Sequence, residues 1–245
     1  MSRRTIRSAQ LLVVLLCALA LKFYYSTATP DQLRWILAPT TVLVSFLSGK
    51  SFEFESLTGY MSSDHTFVIA APCAGVNFLI TSFVMLSLMR LWRDRFERVS
   101  WRFIPLAAVL AYASTLFANT MRIWIALHPV RVSWLTANQV HRLEGIVVYF
   151  GFLLLLFMLT EQSNSAKRFL VPLFIYYAVT LGIPLVTGNW QQYTAFWEHF
   201  AFVLVLPLLL CFLCLFVAKL RSGGPSACRS PRTLRYSAAR LCDGR

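Results

Sequence analysis

Six stretches of the chain stay apolar for close to the ~20 residues that a membrane-crossing helix needs. They are Ala9–Ala28, Val76–Trp92, Phe103–Leu127, Leu143–Thr160, Phe169–Thr187 and Trp197–Ala218. A seventh apolar run, Trp35–Leu47, is shorter, carries Pro39 in its first turns and stops at Ser48-Gly49. It predicts an interfacial or re-entrant helix rather than a span. The pattern then changes. SFEFESLTGY and HTFVIAAP alternate apolar and polar positions around Gly59, as the two arms of a small hairpin do. The expected fold is an all-α polytopic membrane protein with about six transmembrane helices, one interfacial or re-entrant helix and a small extracytoplasmic hairpin-like segment. One transmembrane domain is expected over residues 1–221. The remainder, 222–245, reads as a basic, disordered cytoplasmic tail that anchors on anionic lipid. The N-terminal MSRRTIR followed by SAQLLVVLLCALAL resembles a signal peptide, but no small-residue cleavage site follows cleanly, so it is read as a retained first helix.

Composition agrees with a bundle of membrane helices: 58% of the residues are hydrophobic, 13% are charged, and the mean hydropathy is +0.62. A net charge of +13 would suit a nucleic-acid partner, but its placement excludes one. With both termini inside, the inner segments Met1–Gln10, Arg90–Arg102, Glu161–Arg168 and Lys219–Arg245 hold 3, 5, 2 and 7 basic residues, which is 17 of 23. The other six are Lys22, Arg34, Lys50, Arg122, Arg131 and Arg142. Acids split 4 inside and 6 outside, so all of the net positive charge lies on the inner side. This bias selects the six-span arrangement, because a span at Trp35–Leu47 would move one inner arginine cluster outside. The expected location is a bacterial inner membrane.

That topology leaves one cysteine of six on the outer face. Cys17, Cys211 and Cys214 fall inside spans and Cys228 and Cys242 in the tail, whereas Cys73 lies in Ala-Pro-Cys-Ala-Gly-Val-Asn, just before a helix. The outer face of such a membrane is oxidising, and structural cysteines there come in pairs. An unpaired thiol at a helix start meets the positive end of the helix dipole, which favours thiolate. The competing reading is a small buried hydrophobe. The Cys211-x-x-Cys214 pair, within LLLCFLCLF, reads as packing.

Ionisable residues at membrane depth are costly, at about 2.5–3.5 kcal/mol near the centre, and are usually functional. Arg122 is one, near the outer end of Phe103–Leu127, with Asn119 one turn before it on the same face. A snorkelling arginine is the alternative. His141 opens the next span on the outer side, followed at i+3 and i+4 by Glu144, placed to orient the imidazole, and Gly145, which leaves space beside it. An interfacial histidine beside a capping charge is the alternative here. His128 and His65 compete by position, and His199 reads as interfacial. A cysteine, an arginine and a histidine from three segments on one face are the parts for thiol acyl transfer: nucleophile, oxyanion or thiolate stabiliser, and proton shuttle. The sequence has no metal-ligand spacing, phosphate-binding glycine loop or G-x-S-x-G elbow, so neither a metal nor a cofactor is expected.

The three stretches resemble the exosortase/archaeosortase family of membrane transpeptidase-like cysteine enzymes. Pro72-Cys73-Ala74-Gly75 is similar to its Cys-(Ser/Ala)-Gly nucleophile motif, Asn119-Thr120-Met121-Arg122-Ile123 to its Asn-x-x-Arg-(Ile/Val) motif, and His141-Arg142-Leu143-Glu144-Gly145 to its His-x-x-x-Gly motif. Order and separation also fit, over about Leu33 to Phe157, and the Cys-Ala-Gly-Val-Asn-Phe run resembles the exosortase K subgroup. The resemblance implies a nucleophilic Cys73, a stabilising Arg122 and an acid–base His141, with Gly75, Asn119, Glu144 and Gly145 in support. It implies exported protein substrates that end in a short motif, a transmembrane helix and a basic cluster, cut at the motif with the acyl group passed to an acceptor. Two departures stand out: the chain lacks the extra soluble domain of some members, and alanine follows Cys73 where many have serine. The function of a different class is a non-enzymatic membrane carrier or assembly subunit that binds an anionic ligand at Arg122. Such carriers usually show repeated halves or paired broken helices, and the sequence shows neither.

Overall fold

Hydrocarbon offers backbone amides no partner, so a chain this apolar closes its hydrogen bonds within helices. The computed structural model describes residues 3–93, 100–128, 136–160, 170–182, 185 and 196–222. They form α1 (Arg3–Thr27), α2 (Arg34–Ser48), a small sheet of β1 (Phe52–Glu55), β2 (Gly59–Ser62) and β3 (Val68–Ile69), a single 3₁₀ turn (Ala71–Ala74), α3 (Val76–Arg93), α4 (Phe103–Ala126), α5 (Ala137–Thr160), α6 (Leu170–Tyr177, continued as a π turn over Ala178–Gly182) and α7 (Phe196–Ser222). Among the described residues five helical stretches are long and apolar enough to cross a membrane: Arg4–Thr27, Ala71–Trp92, Phe103–Ala126, Gln139–Thr160 and Phe200–Val217. Their outward faces carry large apolar side chains, such as Leu19 and Phe23 on α1 and Leu209 and Phe212 on α7. Faces of that extent suit lipid and not water.

The sixth expected span is shorter where it is described. α6 and its π turn cover eight and five residues, about 20 Å of helix against a hydrocarbon core of about 30 Å. The rest of Phe169–Thr187 apart from Leu185, the loops around Arg131 and Gly188, the Glu161–Arg168 segment and the tail beyond Ser222 with Cys228 and Cys242 lie outside the described residues.

The short apolar run is a helix, with a physical reason for where it packs. Pro39 has no N–H, so the Trp35 carbonyl one turn earlier lacks its helical donor. Tyr112 of α4 donates its hydroxyl to that carbonyl at 2.7 Å, and its ring stacks on Trp35 with centroids 5.9 Å apart. Ile36, Leu37, Thr40, Thr41 and Val44 are buried on one face, whereas Val42 and Phe46 on the other are exposed.

The hairpin has a third strand. β1 and β2 pair antiparallel with Phe52 opposite Ser62, and β3 adds to β2 with Tyr60 opposite Ile69. Asp64 ties the β2–β3 turn: it accepts from Lys50 at 2.7 Å, the Ser62 hydroxyl at 2.6 Å, and the hydroxyl and amide of Thr66. β3 then hands the chain to the 3₁₀ turn that holds Cys73. Beneath it α4 presents a buried stripe of small residues, Ala107, Ala111, Thr115 and Ala118. Small residues let helix backbones approach closely, and this brings α4 within side-chain reach of the start of α3.

Candidate functional site

The turn at Cys73 is built by its neighbours. Pro72 fits the first turn of a helix, where no amide donor is needed. The Cys73 amide then donates to the Ala70 carbonyl at 2.8 Å. Gly75 ends the turn with φ +69°, the left-handed region that glycine enters at no steric cost. It also leaves room for a neighbour: a Cβ there would lie 3.2 Å from Asn119 Cγ and 3.3 Å from Thr115 Cγ2. Cys73 therefore precedes α3 by a separate turn instead of opening the long helix itself. Its thiol is partly exposed and, among the described residues, takes part in no hydrogen bond.

One network joins the three motif segments. The fully buried Asn119 donates its amide to the Cys73 carbonyl and accepts the Tyr149 hydroxyl at 2.8 Å. Tyr149 in turn accepts from Arg122 Nη1 at 3.3 Å and stacks on Phe78 with centroids 5.3 Å apart. Arg122 reaches His141 Nε2 through Nη2 at 3.0 Å. A guanidinium only donates, so this bond fixes Nε2 as a lone-pair acceptor and leaves the ring proton on Nδ1. That side of the ring faces Glu144 Oε2 at 3.9 Å, electrostatic reach but too long for a hydrogen bond. Gly145 leaves space, though not beside the imidazole. A Cβ there would stand 3.3 Å from Arg122 Nε, so the missing side chain admits the guanidinium. The Nε–H is buried against this glycine and has no hydrogen-bond partner among the described residues.

Around this network lies a cleft of about 240 Å³ whose lining includes Arg122, His141, Arg142, Gly145, Tyr149 and Tyr176. Pro72 and Gly75 line it as well, but Cys73 between them does not. Of the competing histidines, His128 bonds back through Nδ1 to the Trp124 carbonyl at 2.9 Å and leans on the Trp124 ring, and His65 is exposed on the β2–β3 turn. The side chain of His199 is outside the described set. Cys211 is buried in the apolar core with Cys214 packed against it. No three potential metal ligands gather among the described residues.

Sequence reasoning missed Tyr149 and the part played by α1. Tyr149 carried a signal: it stands at i+4 from Gly145 and i+8 from His141, a hydroxyl on their helix face inside an otherwise apolar run. α1 carried almost none. Lys22 donates to Asn77 at 2.7 Å and Tyr25 to the Ala71 carbonyl at 3.5 Å, contacts 55 and 46 residues apart that pin α1 over the cysteine turn.

No model of a known protein family, no curated protein and no solved structure matches this chain.

Proposed function

We propose that the chain is a membrane-embedded cysteine peptidase or transpeptidase of exosortase type, which processes the C-terminal sorting signals of exported proteins at Cys73, Arg122 and His141. The observation that carries the reading is the unbroken path of hydrogen bonds from the Cys73 carbonyl through Asn119, Tyr149 and Arg122 to His141. Three motif segments, far apart in sequence, meet there in the order that the resemblance requires. The proposed setting is a multi-pass inner-membrane protein with six spans, both termini cytoplasmic and the site on the periplasmic face, in keeping with the positive charge gathered in the inner segments.

At rest the Arg122 guanidinium caps the proton-accepting nitrogen of His141. A substrate carbonyl that draws Arg122 onto its oxygen frees Nε2. The imidazole takes the Cys73 proton, the thiolate attacks the carbonyl carbon, and Arg122 balances the oxyanion. Collapse breaks the C–N bond as Nε2–H protonates the departing amine, leaving a thioester on Cys73. An acceptor nucleophile or water, deprotonated by His141, releases the acyl group and restores the thiol. Glu144, facing Nδ1–H, stabilises the imidazolium in both halves of the cycle.

A second reading has its own observation. The cleft is lined by Arg122 and Arg142, and Cys73 is not part of that lining, which suits a carrier or assembly subunit that holds an anionic ligand. Co-expression with an exported reporter that ends in a motif, a transmembrane helix and a basic cluster separates the two. The enzyme reading expects a shortened reporter with the wild type and full-length reporter with Cys73→Ala, both proteins present in the membrane. Normal shortening by Cys73→Ala removes it.

A further inference from the structure

The small sheet has two edges, and only one of them runs into the cysteine turn. Along an antiparallel ladder, opposite residues alternate between bonding each other and pointing their backbone groups outward. The Ser62 amide donates to the Phe67 carbonyl at 2.9 Å. The next pair along is Met61 with Val68, so the Val68 N–H and C=O turn away from β2 and face the open edge of β3. The N–H of Ala70 follows on the same edge, in a residue that stays extended with φ −95° and ψ 178°. Among the described residues these three groups take part in no hydrogen bond. Val68 and Ala70 both keep part of their surface open, and Phe67–Ala71 carry no charge. The far edge differs. There β1 exposes Glu53 and Glu55, charged side chains of the kind that keep a sheet edge from pairing.

We propose that β3 takes the exported substrate as an added strand: an extended stretch beside the scissile bond pairs with Val68 and Ala70 and carries that bond to Cys73. The inference rests on the peptidase reading and adds how the substrate main chain is held. Open edge amides and carbonyls bind an extended peptide through its backbone, and strand pairing is what the unused groups of Val68 and Ala70 can offer. From Val68 the chain rises two residues to Ala70, and the 3₁₀ turn adds three more to Cys73. That path is at most about 13 Å, which about four extended residues of a substrate span. Pro72 already lines the cleft that holds Arg122, so the same edge leads to the thiol and to the guanidinium that balances the oxyanion.

Val68→Pro tests it, because it removes the edge N–H, takes no bond from the ladder, and places proline where an open edge accepts it. Phe54→Pro is the control. Ser63 donates to the Ser51 carbonyl at 3.1 Å, so by the same alternation the Phe54 N–H faces the open edge of β1. Each variant is co-expressed with the exported reporter that ends in a motif, a transmembrane helix and a basic cluster. Val68→Pro should shorten it about fivefold more slowly, the worth of one hydrogen bond, with Cys73 still open to a maleimide. Phe54→Pro should match the wild type. A wild-type rate in Val68→Pro, or an equal loss in Phe54→Pro, overturns strand addition and leaves the peptidase reading in place. A reporter that the wild type leaves full-length overturns that reading, and the inference with it. If Val68→Pro does not reach the membrane with Cys73 open to maleimide, capture decides. In the Cys73→Ala chain, a benzophenone side chain in place of Val68 should crosslink under light to reporter residues just ahead of the transmembrane helix, identified by mass spectrometry. One in place of Phe54 should not. Equal capture from both edges, or crosslinks from position 68 to a second copy or to another segment of this chain instead of the reporter, overturn the proposal.

Discussion

Tyr149 does at the residue scale what no motif residue does alone. Its hydroxyl accepts from Arg122 and donates to Asn119, so one oxygen sets both the guanidinium and the amide that holds the Cys73 carbonyl. Tyr149→Phe keeps the ring on Phe78 and removes only that oxygen. The expected stability loss is about 1 kcal/mol, the net worth of an ordinary hydrogen bond. The expected loss in reporter processing is larger, about tenfold, and falls on the rate at saturating substrate, because Arg122 is no longer fixed for the transition state. A thermal melt beside a processing time course checks both. A variant that melts with the wild type and processes at its rate removes Tyr149 from the account.

The elements show where sequence pattern suffices and where it does not. Trp35–Leu47 was legible as a short helix because its apolar run ends at Ser48-Gly49, and the structure gives Arg34–Ser48. Its anchoring was not legible, because the partner of the Trp35 carbonyl, Tyr112, is 77 residues away. Tyr112→Phe removes that donor and should cost about 1 kcal/mol, the net worth of an ordinary hydrogen bond, read as a lower unfolding midpoint in detergent; an unchanged midpoint contradicts this anchoring. The strand-bearing segment was legible by alternation, with β3 inside HTFVIAAP, but the partner of β1 was not: β2 begins in the first alternating stretch and ends between the two, and β3 pairs with β2 instead of β1. The β2–β3 turn also has a pH signature. Lys50 above all, then Ser62 and Thr66, hold the Asp64 carboxyl well below the usual carboxylate range. A depressed folded-state value means that the turn gains stability above the unfolded value of about 3.9, and loses it as pH falls through the folded one. Protection of the Thr66 and Phe67 amides, measured relative to the intrinsic exchange rate at each pH, should therefore fall only at strongly acidic pH. In Asp64→Asn exchange should already be fast at pH 7, and equal exchange in the two proteins at that pH would contradict the role of this turn.

For the whole molecule, hydropathy identified the long helices because bilayer thickness imposes a length that few other structures share. It did not reveal the change to π hydrogen bonding at Ala178, which leaves apolarity untouched. Half of the candidate site was legible for a related reason. Arg122 with Asn119, and His141 with Gly145, sit at helical spacings within single elements. Lys22, Tyr25 and the role of Gly145 toward Arg122 depend on which helices touch, and no local pattern states that. With the proposed orientation, a fluorescent reporter fused after Ser222 should fold and shine in the cytoplasm, and an export-dependent phosphatase inserted at Ser63 should be active. The opposite pair of results would invert the bundle and move Cys73 to the cytoplasmic side.

The central claim is that Cys73 offers a nucleophilic thiol on the outer face. Labelling of intact cells with a membrane-impermeant maleimide at neutral pH, read as a mass shift on the purified chain, tests it most directly. One adduct within minutes, absent from Cys73→Ala, is the predicted result. A chain that stays unlabelled until its membrane is dissolved would contradict it.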